Sequence, residues 1–221
     1  MDWPRKVALS LIATGTVFCG LYLVPTVYGA VMSHLEVAAF RAQSHSNSLW
    51  DSGRIRAYKS TLGLQLPPPE AILRVPGVGI EVPVLEGTSA VTMNRGIGHI
   101  AGTALPGQTG NIALTGHRDG FFRPLKDVHP GDLVELEHPS ATSGAGSQTD
   151  RYIVRTIHIV FPSDTSVLNA TSGSTLTLIT CYPFYYVGSA PQRYIVQAEL
   201  VSPASVLSHS ASQKLLQIPG E

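Results

Sequence analysis

The pattern of apolar and polar positions divides the chain into an apolar head, a mixed segment and a long stretch of short alternating runs. No charged residue occurs from Val7 to Ser33, and Val7 to Val31 is mostly apolar. Such a run exceeds the roughly 20 residues that a bilayer-spanning helix needs. Arg5 and Lys6 precede it, so residues 1–6 are expected on the cytoplasmic side and the rest of the chain outside. A cleavable signal peptide is the competing reading. The run is long for one, and the residues around Tyr28-Gly29-Ala30 make a poor cleavage site, which favours an uncleaved anchor over residues 7–31. Residues 32–70 then read as a stalk or linker. Its first part continues as helix, and Pro67-Pro68-Pro69 forms a stiff join.

From Ala71 the period shortens to that of strands punctuated by Gly and Pro. Strands are expected at Ala71–Val75, Ile80–Val84, Ile97–Ala101, Asn111–Thr115, Asp132–Leu136, Tyr152–Val160, Thr175–Thr180 and Tyr194–Leu200. Thr88–Arg95 reads as a short helical turn with Thr88 as its N-cap. Ser140–Thr149, small and polar, reads as a flexible surface loop, and residues 202–221 as a tail. There is no internal repeat. Eight short strands over residues 71–201 define an all-β domain, either a sandwich or a closed barrel.

The clearest strand is Thr175-Leu176-Thr177-Leu178-Ile179-Thr180-Cys181. Its alternation predicts one buried face, and Pro183, which cannot donate to a ladder, helps to end it. A thiol is thereby placed where a strand opens into a loop, held by the sheet yet reachable.

Composition adds exclusions. Hydrophobic residues make up 43% and charged residues 14%, consistent with part of the apolar content facing lipid. Lys+Arg and Asp+Glu are both 15, so nothing argues for nucleic acid, which needs a basic patch to displace counterions. Of two cysteines, Cys19 lies in the apolar head as filler, which leaves Cys181 an unpaired thiol in an oxidising compartment.

A thiol becomes a nucleophile as thiolate, which a nearby imidazole or cation favours. Among eight histidines, His117 stands out in Asn111-Ile112-Ala113-Leu114-Thr115-Gly116-His117-Arg118-Asp119, also just past a strand end. An arginine is the natural partner for a developing oxyanion. Arg193 opens the last strand, and Arg118, Arg123, Arg151 and Arg155 compete for the role. Asp119 is a candidate to orient His117, and His99 a candidate support residue or turn stabiliser. No His-x-x-x-His spacing or dense acidic cluster suggests a metal, and no cofactor is called for.

Thr177-Leu178-Ile179-Thr180-Cys181 resembles the Thr-Leu-x-Thr-Cys signature of sortases. The run Cys181-Tyr182-Pro183-Phe184, with Val187-Gly188, Ala190-Pro191 and Arg193, is similar to class D sortases in particular. So are Gly98-His99, Gly102-Thr103-Ala104-Leu105-Pro106-Gly107 and Gly116-His117-Arg118-Asp119. The resemblance runs in order from about Ala71 to Val201. It implies a closed eight-stranded β-barrel with short helices behind a transmembrane anchor. It also implies a cysteine transpeptidase with Cys181 as nucleophile, His117 as acid/base and Arg193 as oxyanion or substrate-positioning residue. The implied partners are secreted proteins with a C-terminal sorting signal, and an amine such as a peptidoglycan precursor or a pilin lysine. The competing functions are a cysteine protease hydrolysing the same thioester and a silent, membrane-tethered binding domain.

Overall fold

The structure, a computed structural model, describes residues 49–140 and 146–201. The expected membrane anchor at 7–31, the first part of the stalk and the tail lie outside the described residues. Among the described residues no helix is long and apolar enough to cross a membrane.

Eight strands close into one barrel: β1 (Ala71–Val75), β2 (Ile80–Glu86), β3 (Ile97–His99), β4 (Asn111–Thr115), β5 (Leu133–Pro139), β6 (Ser147–Val160), β7 (Thr175–Tyr182) and β8 (Gln192–Leu200). Their order around the barrel is β1-β2-β3-β4-β7-β8-β6-β5. Closure leaves no unpaired sheet edge. The β2–β3 and β4–β7 pairs are parallel and the others antiparallel.

The interior is filled by one apolar cluster that includes Leu73, Val82, Ile97, Leu136, Tyr152 and Val154. Two rows cross it in register: Ile112–Leu176–Ala198 and Leu114–Leu178–Val196, on β4, β7 and β8. All six are fully buried. A second, smaller cluster lies on the opposite face of the same three strands. There Ala113, Ile179 and Ile195 are covered by Ile100, Val160, Val167 and Leu168.

This second cluster corrects the expectation that β7 buries one face. Residues 176–180 are all buried. Thr177 donates to Asn111 Oδ1 at 2.7 Å. The Asn111 amide in turn donates to Val167 O at 2.9 Å and Asn169 O at 3.1 Å. The 3₁₀ turn at Ser166–Leu168 is thereby tied over the strand. Threonines that read as solvent-facing are buried with their hydroxyls satisfied, as buried polar groups must be.

Three further expectations shift. The helix α2 (Ala90–Arg95) is capped by Ser89, not Thr88: the Ser89 hydroxyl accepts from Thr92 N at 3.1 Å. β6 begins at Ser147, where Pro139 pairs with it, so residues 147–149 belong to a hairpin rather than a loop. The expected linker also contains the helix α1 (Ser52–Thr61).

Local chemistry starts α1, since Asp51 Oδ1 accepts from Gly53 N and Arg54 N. Long-range contacts fix it: Trp50 meets Tyr58 and Phe121 edge-to-face, with centroids 5.7 and 4.7 Å away. Such pairs are worth about 0.5–1.5 kcal/mol each beyond their burial. Arg95 of α2 donates to Thr61 O at 2.7 Å, satisfying a carbonyl at the end of α1.

Candidate active site

Because β4 and β7 are parallel, both open into loops at the same end of the barrel. β8, antiparallel to β7, begins there. Thr115 pairs with Ile179. Beyond β4 the contact continues, with Gly116 N donating to Ile179 O at 3.2 Å and Thr180 Oγ1 donating to Gly116 O at 2.8 Å. His117 and Cys181 each lie two residues beyond that last β4–β7 pair, at the same end of the barrel. Across the other ladder Cys181 pairs directly with Arg193, and directly paired residues share a face. Cys181 and Arg193 therefore form one row across β7 and β8, with His117 on the turn that follows the neighbouring β4. Alternation puts the row on the outer face, in line with Ile179 and Ile195. Cys181, a free thiol, is partly exposed.

Gly116 lets the histidine turn start where it does. A Cβ there would lie 2.9 Å from Phe122 Cδ2 and 3.0 Å from Ile97 Cγ2, both core side chains. Any side chain at 116 pushes against the barrel interior and displaces His117 outward. The turn closes one step later, where Gly120 N donates to His117 O at 3.1 Å.

The His117 ring is half-buried, and burial pushes its pKa down to about 4. The Arg54 guanidinium adds to the fall, and the Asp119 carboxylate acts in the opposite direction. At neutral pH His117 is therefore an unprotonated base. Asp119 does not orient the imidazole by a hydrogen bond. Its Oδ1 accepts from Arg54 Nε at 3.1 Å and lies 3.0 Å from Arg54 Nη2.

The rival arginines separate cleanly. Arg118 Nη2 donates to Tyr186 O at 2.7 Å and Gly188 O at 3.0 Å. Arg123, 92% buried, donates from Nη1 to Phe184 O at 2.7 Å and stacks 4.6 Å from the Tyr185 ring centre. These two clamp the β7–β8 loop from the histidine loop. Arg151 and Arg155 pair with Glu135 and Glu199, each at 3.0 Å. Arg193 alone of the five sits opposite Cys181. Among the described residues both its hydrogen bonds come from Nη1, to Gln192 O at 2.9 Å and Ala190 O at 3.3 Å. Those bonds hold the guanidinium at the loop rim.

His99 stabilises a turn at the other end of β3. Its Nε2 lies 3.1 Å from Thr103 Oγ1 and 3.0 Å from Ala104 O. The Thr103 hydroxyl donates to Ile100 O, so its proton is engaged and Nε2 is the donor. Nδ1 lies 3.3 Å from Glu70 Oε2, next to the start of β1. Among the described residues no three His, Cys, Asp or Glu side chains gather as a metal site. Sequence reasoning passed over Arg54 and Asn94. Nothing in their local context marks them, because their contacts are made across the fold.

A fold of this topology, with a thiol and an imidazole at adjoining strand ends, defines a class, and the sortase domain family matches residues 73–201. The chain belongs to the sortase family and is a cysteine transpeptidase of that type. It is similar to Sortase D of Bacillus subtilis (strain 168), 31% identical over 207 residues that span 90% of this chain and 99% of that protein. A Clostridium perfringens Sortase D5 transpeptidase is 27% identical with a TM-score of 0.53, covering 67% of this chain and 88% of its own. Sortase E1 from Streptomyces coelicolor, solved with a tripeptide in its active site, is 28% identical with a TM-score of 0.52. It covers 63% of this chain and 92% of its own.

Proposed function

We propose that this protein is a membrane-anchored sortase in which Cys181 is the nucleophile, His117 the acid/base and Arg193 the oxyanion or substrate-positioning residue. It cleaves the C-terminal sorting signal of a secreted protein and passes the acyl group to an amine, either a cell-envelope precursor or a pilin lysine. Residues 7–31 anchor it in the membrane, with the N-terminus cytoplasmic and the barrel outside. The observation that supports this reading is the direct pairing of Cys181 with Arg193 across β7 and β8, with His117 two residues past the last β4–β7 pair, Thr115–Ile179.

The chemistry follows from the states of these three residues. Neutral His117 takes the proton of the Cys181 thiol. The thiolate attacks the scissile carbonyl carbon and forms a C–S bond, while Arg193 offsets the charge gathering on oxygen. The imidazolium then gives its proton to the departing nitrogen, since an amine anion is a very poor leaving group. The C–N bond breaks and a thioester remains. In the second half the acceptor amine attacks the thioester, neutral His117 accepts its proton, and the C–S bond breaks.

The test is intact mass spectrometry after incubation with a library of sorting-signal peptides, with and without an added amine. A covalent acyl adduct on Cys181 is expected, resolved to an amide when amine is present. Product that stays hydrolysed whatever the amine supports a protease instead. Transfer by Cys181→Ala at the original rate refutes the assignment.

A further inference from the structure

Arg54 belongs to α1, apart from every strand that carries the reacting groups, yet it is built into the histidine turn. Besides its two contacts with Asp119 Oδ1, its Nη1 donates to Asn94 Oδ1 of α2 at 2.7 Å. Its stem runs over Gly120. A Cβ at that glycine would sit 3.5 Å from Arg54 Cδ and 3.5 Å from His117 Cβ. The arginine stem and the histidine thus flank the same glycine. The helix that delivers Arg54 is itself fixed, by the Asp51 cap, the Trp50–Tyr58–Phe121 packing and the Arg95–Thr61 bond.

We propose that Arg54 is a positioning residue for acyl transfer: docked α1 holds a guanidinium against the histidine turn and fixes the seat of the imidazole. The proposal rests on His117 being the acid/base, and it makes the helix next to the membrane linker a regulator of the site. The charges that act on the imidazole are Arg54 from α1 and Asp119 from its own loop; Arg118 follows it in that loop, and Cys181 and Arg193 pair across β7 and β8 at the same end of the barrel. Asp51 lies beside Arg54 at the start of α1. Arg118 is committed to the β7–β8 loop, and Asp119 offsets part of the Arg54 charge. Burial is the larger cause of the depressed His117 pKa and Arg54 the second. Removing the guanidinium therefore shifts the pKa up without restoring it fully.

The experiment is a histidine ring titration by NMR on the full-length protein in detergent. It is paired with the pH profile of Cys181 alkylation by iodoacetamide, so neither reading needs a sorting peptide. In Arg54→Gln the His117 midpoint is expected to rise by about one pH unit, the size of shift a nearby charge produces, and the alkylation profile changes with it. Arg54→Lys keeps the charge and stays close to wild type. An unmoved midpoint in Arg54→Gln, or an equal rise in Arg54→Lys, overturns the proposal. A role confined to folding changes the melting temperature and leaves the midpoint alone. If Arg54→Gln does not fold, Arg54→Met keeps the stem over Gly120 and is read the same way. Asp119→Asn supplies the opposite sign: it retains Arg54 and removes the opposing carboxylate, so the midpoint falls, and a rise refutes the idea. Full transfer by His117→Ala would sink the acid/base role instead, and the titration would still report separately on Arg54.

Discussion

Cys181 and His117 lie at the same end of the barrel but are held by different means. Cys181 lies within β7, laddered to β8 on one side, where it faces Arg193. On β7's other side the ladder to β4 ends two residues earlier, at Ile179. Below Cys181, Leu176 and Leu178 fill the barrel while Thr177 and Ile179 are covered from outside. His117 lies past the last paired residue of β4. Its place depends on a glycine against the core, on a tight turn and on an arginine from a distant helix. A strand is set by short-range alternation and neighbouring ladders. A catalytic loop is set by contacts that many separate segments must supply together. The proposed nucleophile thus sits on the laddered, rigid part of the site, and the proposed acid/base sits on the looped, adjustable part.

The comparison can be broken at either side. His117→Ala removes the adjustable partner, and acyl transfer should fall by about 10²–10⁴-fold, the range for a general acid/base. Thermal unfolding should stay cooperative. Wild-type turnover excludes His117 from the mechanism. Leu178→Ala strikes the rigid side between Leu114 and Val196, and denaturant unfolding should show a loss of about 2–5 kcal/mol. The His117 midpoint should not move, and if it does the two regions are less separable than described. Gly116→Ala drives a Cβ into Phe122 and Ile97. A cost of about 1–3 kcal/mol is expected for overpacking, with lowered transfer as the histidine turn shifts. Thr177→Val strands Asn111 Oδ1 without its donor, a change of about 1 kcal/mol in unfolding free energy.

A further effect sharpens the contrast through pH. His117 in the folded protein binds its proton near pH 4, well below the ordinary value of 6.5. Between those values the unfolded chain takes up a proton that the native chain does not, so stability falls as pH drops through this window. Below about pH 4 both states are protonated and this loss stops growing. His117→Gln should flatten that part of a melting-temperature profile, and an unchanged slope assigns the dependence to other groups.

Much of the architecture was legible because it is local. Alternation from Ala71 onward gave all eight strands, with ends off by a few residues where pairing continues beyond the hydrophobic pattern. β6, for instance, extends back to Ser147 because Pro139 offers it a partner. The Cys181, His117 and Arg193 positions followed from strand ends and from the sortase resemblance. The shift from Thr88 to Ser89 was not legible, since either hydroxyl precedes the helix and only the backbone direction chooses between them.

By itself the sequence determined that β4 and β7 are strands ending in a histidine and a thiol, because the period of two is written in consecutive residues. It also carried the apolar run at 7–31 from which an anchor is inferred. Only the tertiary structure decided that β4 and β7 run parallel and adjacent, which sets the two ends side by side. It alone sorted five arginines into two loop clamps, two surface pairs and the one opposite Cys181. It alone brought Arg54 out of an apparent linker and into contact with the histidine turn. The physical reason is range. Alternation and capping act over a few residues and leave a trace in the string. An ion pair between Arg54 and Asp119 exists only once the barrel has closed and α1 has packed its aromatic residues against Phe121.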